Sequence, residues 1–177
     1  MINFIDLAAQ QKRIRPQIDA RIAAILDHGQ YIMGPEVGEL EKGLQDFCGA
    51  KHALSCSNGT DALMLALMAL ELRAGDAVIC PSFTFAATAE AVPCMGGVPI
   101  FVDIDPVTFN MDVESLKRGI TLARDKGLTP KGVIAVDLFG LAADYDAISA
   151  VARENDMWLI SDSAQGFGAL YKGRRTG

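Results

Sequence analysis

Met157-Trp158-Leu159-Ile160-Ser161-Asp162-Ser163-Ala164-Gln165-Gly166 is the stretch whose reading decides the fold. An apolar run leads into an acid flanked by small residues, then an amide and a glycine. Such a run belongs to a strand buried in a parallel sheet, and open α/β sheets bind ligands beyond the carboxyl ends of their strands. Asp162 ends the strand, and Gln165 lies just past its edge. A carboxylate at a low-dielectric sheet edge calls for a cationic partner, because an unpaired buried charge is costly. A protonated ring nitrogen on a bound ligand would serve. The plainer alternative is that Asp162 caps the next turn, and the rest of the chain has to weigh between the two.

The same strand pattern recurs upstream. His52–Cys56, Ala77–Pro81, Val98–Asp103 and Gly132–Asp137 read as strands. Between them, helices are expected over 62–70, 86–92, 112–124 with Asp112 as N-cap, and from Asp144 with Ile148 and Val151 inward. The segment 126–131 reads as a polar connection. Ala62–Leu70 is apolar nearly all round and reads as a buried helix. Strands alternating with helices from His52 to Ile160 predict an α/β fold, a mostly parallel sheet with helices on both faces.

Ahead of this, residues 11–27 place Ile14, Ile18, Ile22, Ile25 and Leu26 at helical spacing, with Pro16 in a first turn and Gly29 as the stop. A second helix, Glu36 to Phe47, carries the stripe Val37, Leu40, Leu44 and Phe47. The loop between them, Gln30-Tyr31-Ile32-Met33-Gly34-Pro35, is too apolar to stay solvated and is expected in a cleft or against another subunit.

Length and composition set the bounds. A chain of 177 residues can bury one full core, and its net charge of −6 argues against a nucleic-acid surface. Cys48, Cys56, Cys80 and Cys94 show no C-x-x-C pairing, so free thiols are expected and no metal site. There is no signal pattern at the N-terminus, and the longest apolar run, Ala62–Leu70, is too short to cross a bilayer. A cytoplasmic protein without membrane contact is the expectation.

Two further stretches bear on Asp162. Ser57-Asn58-Gly59-Thr60-Asp61 leaves a strand and enters a helix whose free N–H groups point at the turn. That geometry holds phosphates, with the helix-terminal field contributing roughly 0.3–1 kcal/mol and up to about 2. Ser82-Phe83-Thr84-Phe85 follows another strand end, where Phe85 could cover a flat ring or simply belong to the core. Gly59 and Thr60, Phe85 and Asp162 therefore fall on one sheet edge. A phosphorylated pyridine fits all three: phosphate to the helix, ring face to the aromatic, ring nitrogen to the acid, the last a charge-assisted bond worth about 1.5–3 kcal/mol.

The sequence also resembles the DegT/StrS-type nucleotide-sugar aminotransferases, a fold-type I branch of the pyridoxal-phosphate enzymes. The motifs are Phe4-Ile5-Asp6-Leu7, Gly29 to Val37, Ser57 to Leu63, Pro81 to Glu90, Val102-Asp103-Ile104-Asp105 and Asp162-Ser163-Ala164-Gln165. The resemblance runs the whole length. It implies that residues 1–177 are the three-layer, cofactor-binding large domain of such an enzyme. Pyridoxal 5'-phosphate would be held by Gly59 and Thr60 at its phosphate and by Phe85 on its ring. Asp162, the catalytic carboxylate, would face the pyridine nitrogen, and Gln165 the ring hydroxyl. Tyr31, Met33 and Gly34 would line substrate or the interface of a homodimer with shared active sites. Within the family the likeness is strongest to bacterial enzymes that aminate C3 of a UDP-linked 3-keto-glucuronic acid from glutamate, for surface polysaccharide such as O-antigen.

Two departures stand out. Asp137 occupies a position where the family carries Ser or His, so the resemblance assigns it no role. The lysine that forms an aldimine with the cofactor in the family follows the Asp-x-x-Gln motif at a distance that lies beyond Gly177, as does the small C-terminal domain. The chain alone is therefore expected to be inactive. A sugar dehydratase of the same family, with histidine for that lysine, and a non-catalytic binding fragment are the competing expectations.

Overall fold

The computed structural model describes residues 5–177, so Phe4 of the opening motif lies outside the described residues. The chain divides into two units, Met1–Asp46 with Ala50–Ser55, and Phe47–Gly49 with Cys56–Gly177.

The first unit is helical. α1 (Leu7–His28) starts on Asp6, whose side chain accepts the Ala9 N–H at 2.9 Å, and ends at Gly29, whose φ of 69° gives the left-handed stop. This start precedes the expected one, so Pro16 is the tenth residue of a 22-residue helix rather than part of a first turn. Having no N–H, it gives nothing to the Lys12 carbonyl, a fault that ordinarily costs about 3 kcal/mol. α2 (Pro35–Cys48) follows, and neither helix has a buried residue. The connecting loop is nevertheless organised. The Gln30 N–H donates to His28 Nδ1 at 3.0 Å, which leaves Nε2 as the protonated nitrogen facing Glu36 Oε1 at 3.1 Å. Glu36 is held below the usual glutamate range first by its own backbone N–H and then by His28. Gly34 admits no side chain, since a Cβ would lie 2.3 Å from the Gln30 carbonyl oxygen.

His52–Cys56 forms no strand. No described strand offers it a neighbour, and the Ser55 N–H goes instead to Glu41 Oε1 at 2.8 Å.

The second unit alternates as expected. α3 (Gly59–Ala69), β1 (Asp76–Pro81), α4 (Ala87–Cys94), β2 (Val98–Val102), α5 (Val113–Asp125), β3 (Thr129–Val136), α6 (Tyr145–Glu154) and β4 (Trp158–Asp162) follow in order. A hairpin of β5 (Leu170–Tyr171) and β6 (Arg174–Arg175) comes last, unread in the sequence. β3 begins at Thr129, so half of the expected connection is strand: Thr129 pairs with Asp76 and Pro130 with Ala77. The four long strands form a parallel sheet in the order β2-β1-β3-β4.

Strand alternation sorts the core. Ala77 and Ile79 of β1 and Val133 and Ala135 of β3 face Leu116, Ile120, Ile148 and Val151 of α5 and α6. Val78, Cys80 and Ile134 face Leu63, Leu67, Ala91 and Val92 of α3 and α4. Three layers result, each fully buried aliphatic side chain contributing about 1.5–3 kcal/mol. α3 is not buried all round. Leu63 and Leu67 reach the sheet, while Leu65 and Met68 on the outer face remain 44% and 60% exposed. One sheet face can cover only one helix face. Asp112 and Asp144 cap α5 and α6 as expected, accepting the N–H groups of Ser115 and Ala147.

Candidate functional site

The carboxyl ends of the strands frame a cavity of about 330 Å³ in the second unit. Gly59, Thr60, Phe85, Asp162 and Gln165 all line it, with Leu63, Thr84, Thr88, Val136 and Ala164 among the remaining walls. Residues spread over more than half of the chain thus meet at one place. Tyr31, Met33 and Gly34 belong to the first unit; Tyr31 and Met33 are exposed there and Gly34 is buried.

α3 supplies one corner of the cavity. Asn58 is its N-cap and accepts the Asp61 N–H at 2.9 Å, while the Ala62 N–H bonds the Asn58 carbonyl at 3.0 Å. Asp61 is held in turn by the Asn58 amide at 3.0 Å and the Ser57 hydroxyl. The N–H groups of Gly59 and Thr60, the first two helical residues, have no acceptor among the described residues. A Cβ on Gly59 would meet no protein atom, so packing does not demand the glycine.

Phe85 sits between β1 and α4 with its side chain mostly out of the core, 71% exposed. Phe83, two residues earlier, joins Phe109 and Phe139 in a cluster with ring centroids 5.7 to 6.2 Å apart. The two aromatics therefore part company, Phe85 at the cavity and Phe83 in its own cluster.

Asp162 is half-buried and has no cationic partner among the described residues. Its Oδ2 accepts the hydroxyl of Thr88 at 2.9 Å. A threonine has one hydroxyl proton, so Thr84, 3.1 Å from Thr88 Oγ1, must be the donor in that pair. The relay Thr84 to Thr88 to Asp162 fixes one carboxylate oxygen. Oδ1 takes only a long bond of 3.3 Å from the Ala164 N–H. Asp162 therefore does more than cap a turn. Thr88, just 1% exposed, was missed from sequence because nothing in an alanine-rich helix marks it; the Thr-x-x-x-Thr spacing was the available signal.

Gln165 is anchored through its oxygen, which accepts the Phe139 N–H at 2.7 Å. That contact assigns the amide, and leaves the NH2 group free to donate. Phe139 stands at φ 56°, a left-handed conformation rare for a bulky residue, and its N–H is thereby turned to Gln165. Asn110 braces the same turn, accepting the Leu138 N–H at 3.2 Å and donating to the Leu141 carbonyl at 2.9 Å. Behind it Asp137, to which the sequence assigned nothing, is fully buried and accepts three hydrogen bonds.

Cys80, in the floor of the fold, is a buried thiol whose pKa desolvation pushes up to about 12, so it is no nucleophile.

Known proteins resemble this chain in sequence and fold. The chain is 52% identical over 176 residues to the UDP-2-acetamido-2-deoxy-3-oxo-D-glucuronate aminotransferase of Pseudomonas aeruginosa, covering 99% of this chain and 47% of that protein. A crystal structure of a DegT/DnrJ/EryC1/StrS aminotransferase from Brucella abortus superimposes with a TM-score of 0.91 at 48% identity, over 95% of this chain and 45% of that one. S. venezuelae DesV, solved in complex with a ketimine intermediate, gives a TM-score of 0.92 at 35% identity, over 99% of this chain and 46% of that one. The chain spans about half the length of the curated relatives it matches. These neighbours fix the α/β architecture as the fold-type I large-domain fold. Residues 12–177 match the family profile, and the chain belongs to the DegT/DnrJ/EryC1/StrS aminotransferase family.

Proposed function

We propose that the chain is the cofactor-binding large domain of a pyridoxal 5'-phosphate-dependent aminotransferase acting on a nucleotide-linked keto-sugar. The substrate is a UDP-linked 3-keto-N-acetylglucosaminuronate, the donor glutamate, and the product serves surface polysaccharide such as O-antigen. The enzyme works in the cytoplasm as a homodimer, with Tyr31, Met33 and Gly34 at the substrate or the interface. One observation carries the reading: a single cavity joins two unpartnered helix N–H groups, an exposed phenyl ring and a carboxylate with no cation.

The donor set fits the cofactor group by group. Gly59 and Thr60 bind the phosphate through their N–H groups, aided by the α3 dipole. The open space at Gly59 is where such an anion approaches. Phe85 covers one ring face and excludes water from it. Asp162 holds the proton at the ring nitrogen through Oδ1, its other oxygen being occupied by Thr88. Gln165 donates its free NH2 to the ring hydroxyl. The bound cofactor supplies an electron sink conjugated to the substrate nitrogen, which requires the ring nitrogen to stay protonated.

The test is a cofactor titration of the full-length protein followed by absorbance, wild type against Asp162→Asn. Loss of the charge-assisted bond should weaken binding about 10- to 100-fold. Equal affinity would remove Asp162 from the site.

A further inference from the structure

Both neighbours of Asp162 in the chain are serines, and strand alternation turns them to the face opposite Asp162. On that face they enter a ring of four side chains, in which three hydroxyl protons make hydrogen bonds of three of the four contacts. Ser163 donates to Asp137 Oδ2 at 2.6 Å, and Tyr145 donates to Asp137 Oδ1 at 2.6 Å. Tyr145 Oη lies 2.5 Å from Ser161 Oγ, and Ser161 Oγ lies 3.0 Å from Ser163 Oγ. The Ala143 N–H adds a third donor to Asp137 at 2.9 Å, and the Asp137 N–H bonds the Asp162 carbonyl at 3.0 Å.

We propose that Asp137, Tyr145, Ser161 and Ser163 are positioning residues that set the direction of the Asp162 carboxylate. The inference rests on the reading of Asp162 as the partner of the ring nitrogen. A strand end is ordinarily where a sheet frays, since the ladder stops there. Here the residue after Asp162 is tied directly to an anchor that is itself 0% exposed, and the residue before it reaches that anchor through Tyr145 or Ser163. Asp137 lies at the end of β3, beyond the Val136↔Asp162 pair, so the tie runs across neighbouring strands rather than along one. A fully buried carboxylate without a cation is a costly choice for mere packing. Its three donors offset that cost, with Oδ2 committed to Ser163 and Oδ1 to Ala143 and Tyr145. Burial, and then Asp137 itself, push the Tyr145 pKa up, so its hydroxyl stays a donor at all working pH values. On the cavity side Thr88 grips Oδ2. Asp162 is thereby held from both faces of its strand.

The test uses the full-length protein with pyridoxal 5'-phosphate as the probe. Ser163→Ala and Tyr145→Phe each remove one hydroxyl, Asp137→Asn the anchor, and Asp162→Asn serves as reference. Val151→Ala, a core truncation on α6, controls for lost stability. Readouts are the cofactor dissociation constant, the pH midpoint of the bound cofactor's absorbance change, and the thermal midpoint without cofactor. Ser163→Ala and Tyr145→Phe should weaken cofactor binding about three- to tenfold and shift the pH midpoint in the same direction as Asp162→Asn. Val151→Ala should lower the thermal midpoint and leave both cofactor readouts unchanged. If the ring variants move the cofactor readouts no more than Val151→Ala while Asp162→Asn does move them, the ring is structural and the inference falls. If Asp162→Asn itself changes nothing, the underlying reading of the site falls instead. Should Asp137→Asn fail to fold, Ser163→Ala and Tyr145→Phe decide.

Discussion

α1 of the first unit and α5 of the second both carry an aliphatic stripe at helical spacing, yet their stripes end differently. Leu116 and Ile120 of α5 are buried, whereas Ile14, Ile22 and Leu26 of α1 are 41%, 51% and 63% exposed. α5 packs its stripe on β1, β2 and β3 in one core cluster. In the first unit no residue of α1 or α2 is buried, and Tyr31, Ile32 and Met33 add 66%, 90% and 72% exposure between them. Periodicity thus tells a helix which face will be covered, and tells nothing about what covers it. The second unit has its own core; the first leaves its apolar stripes exposed.

The glycines test this contrast most sharply. In β3, Gly132 lies opposite Trp158, and a Cβ there would stand 2.1 Å from the indole ring. Gly132→Ala should destabilise the second unit by about 3 kcal/mol, overpacking a site that has no room. The protein has a single tryptophan, so a red-shifted emission and an earlier denaturation midpoint would report it directly. An unshifted emission with native stability would mean that β3 and β4 are not in this register.

Next in size is Thr88→Val, which keeps the shape and deletes the donor to Asp162. Cofactor affinity should fall about three- to tenfold, with little change in the fold. In the first unit, Tyr31→Ser with Met33→Ser should weaken dimerisation of the full-length protein about tenfold in sedimentation, with activity falling in parallel. An unchanged, fully active dimer would show that the loop is not an interface.

The sign reverses within α2. Gly38 and Gly43 are helical, with nothing within 4 Å of an added Cβ. Gly38→Ala and Gly43→Ala should each stabilise by about 0.5–1 kcal/mol in thermal denaturation. A loss at either position would mean that the surface around α2 is already filled in the assembled protein.

The smallest effect is one of pH. Glu41 is held below its ordinary 4.5 by the Ser55 N–H first and the Ser55 hydroxyl second. A depressed folded pKa adds stability above the unfolded value and loses it as pH falls through the folded one. Protection of the Ser55 amide, taken relative to its intrinsic exchange rate, should therefore fall below about pH 4.5, and Glu41→Gln should remove that dependence.

How much of this was legible depended on where each signal lives. The second unit's strands and helices were readable because burial on a sheet imprints period and punctuation locally: Asp112 and Asp144 announce their helices. Phe85 and Asp162 were readable as candidates because strand ends in one parallel sheet share an edge, whereas Gly59 and Thr60 were readable from a helix start, the strand expected before them being absent among the described residues. Thr88 and Asp137 were not, because their partners lie across the fold and leave no mark nearby. His52–Cys56 misled for the opposite reason. Its residues suit a strand, but strandness belongs to a pair. Pro16 misled because the start of α1 is set by Asp6, which an isoleucine count overlooks.

The bond from Thr88 to Asp162 joins residues 74 positions apart. On a ribosome adding about 5–20 residues per second, Thr88 waits roughly 4–15 s for its partner to emerge. The N-terminal end of α3 is synthesised earlier still, and β1 is complete before β3 exists to pair with it. On the proposed reading, the helix end that takes the anion is therefore made long before the carboxylate that faces the ring. On that reading selective cofactor capture becomes available only after β4 has docked, which makes ligand retention a clock for the completion of this sheet.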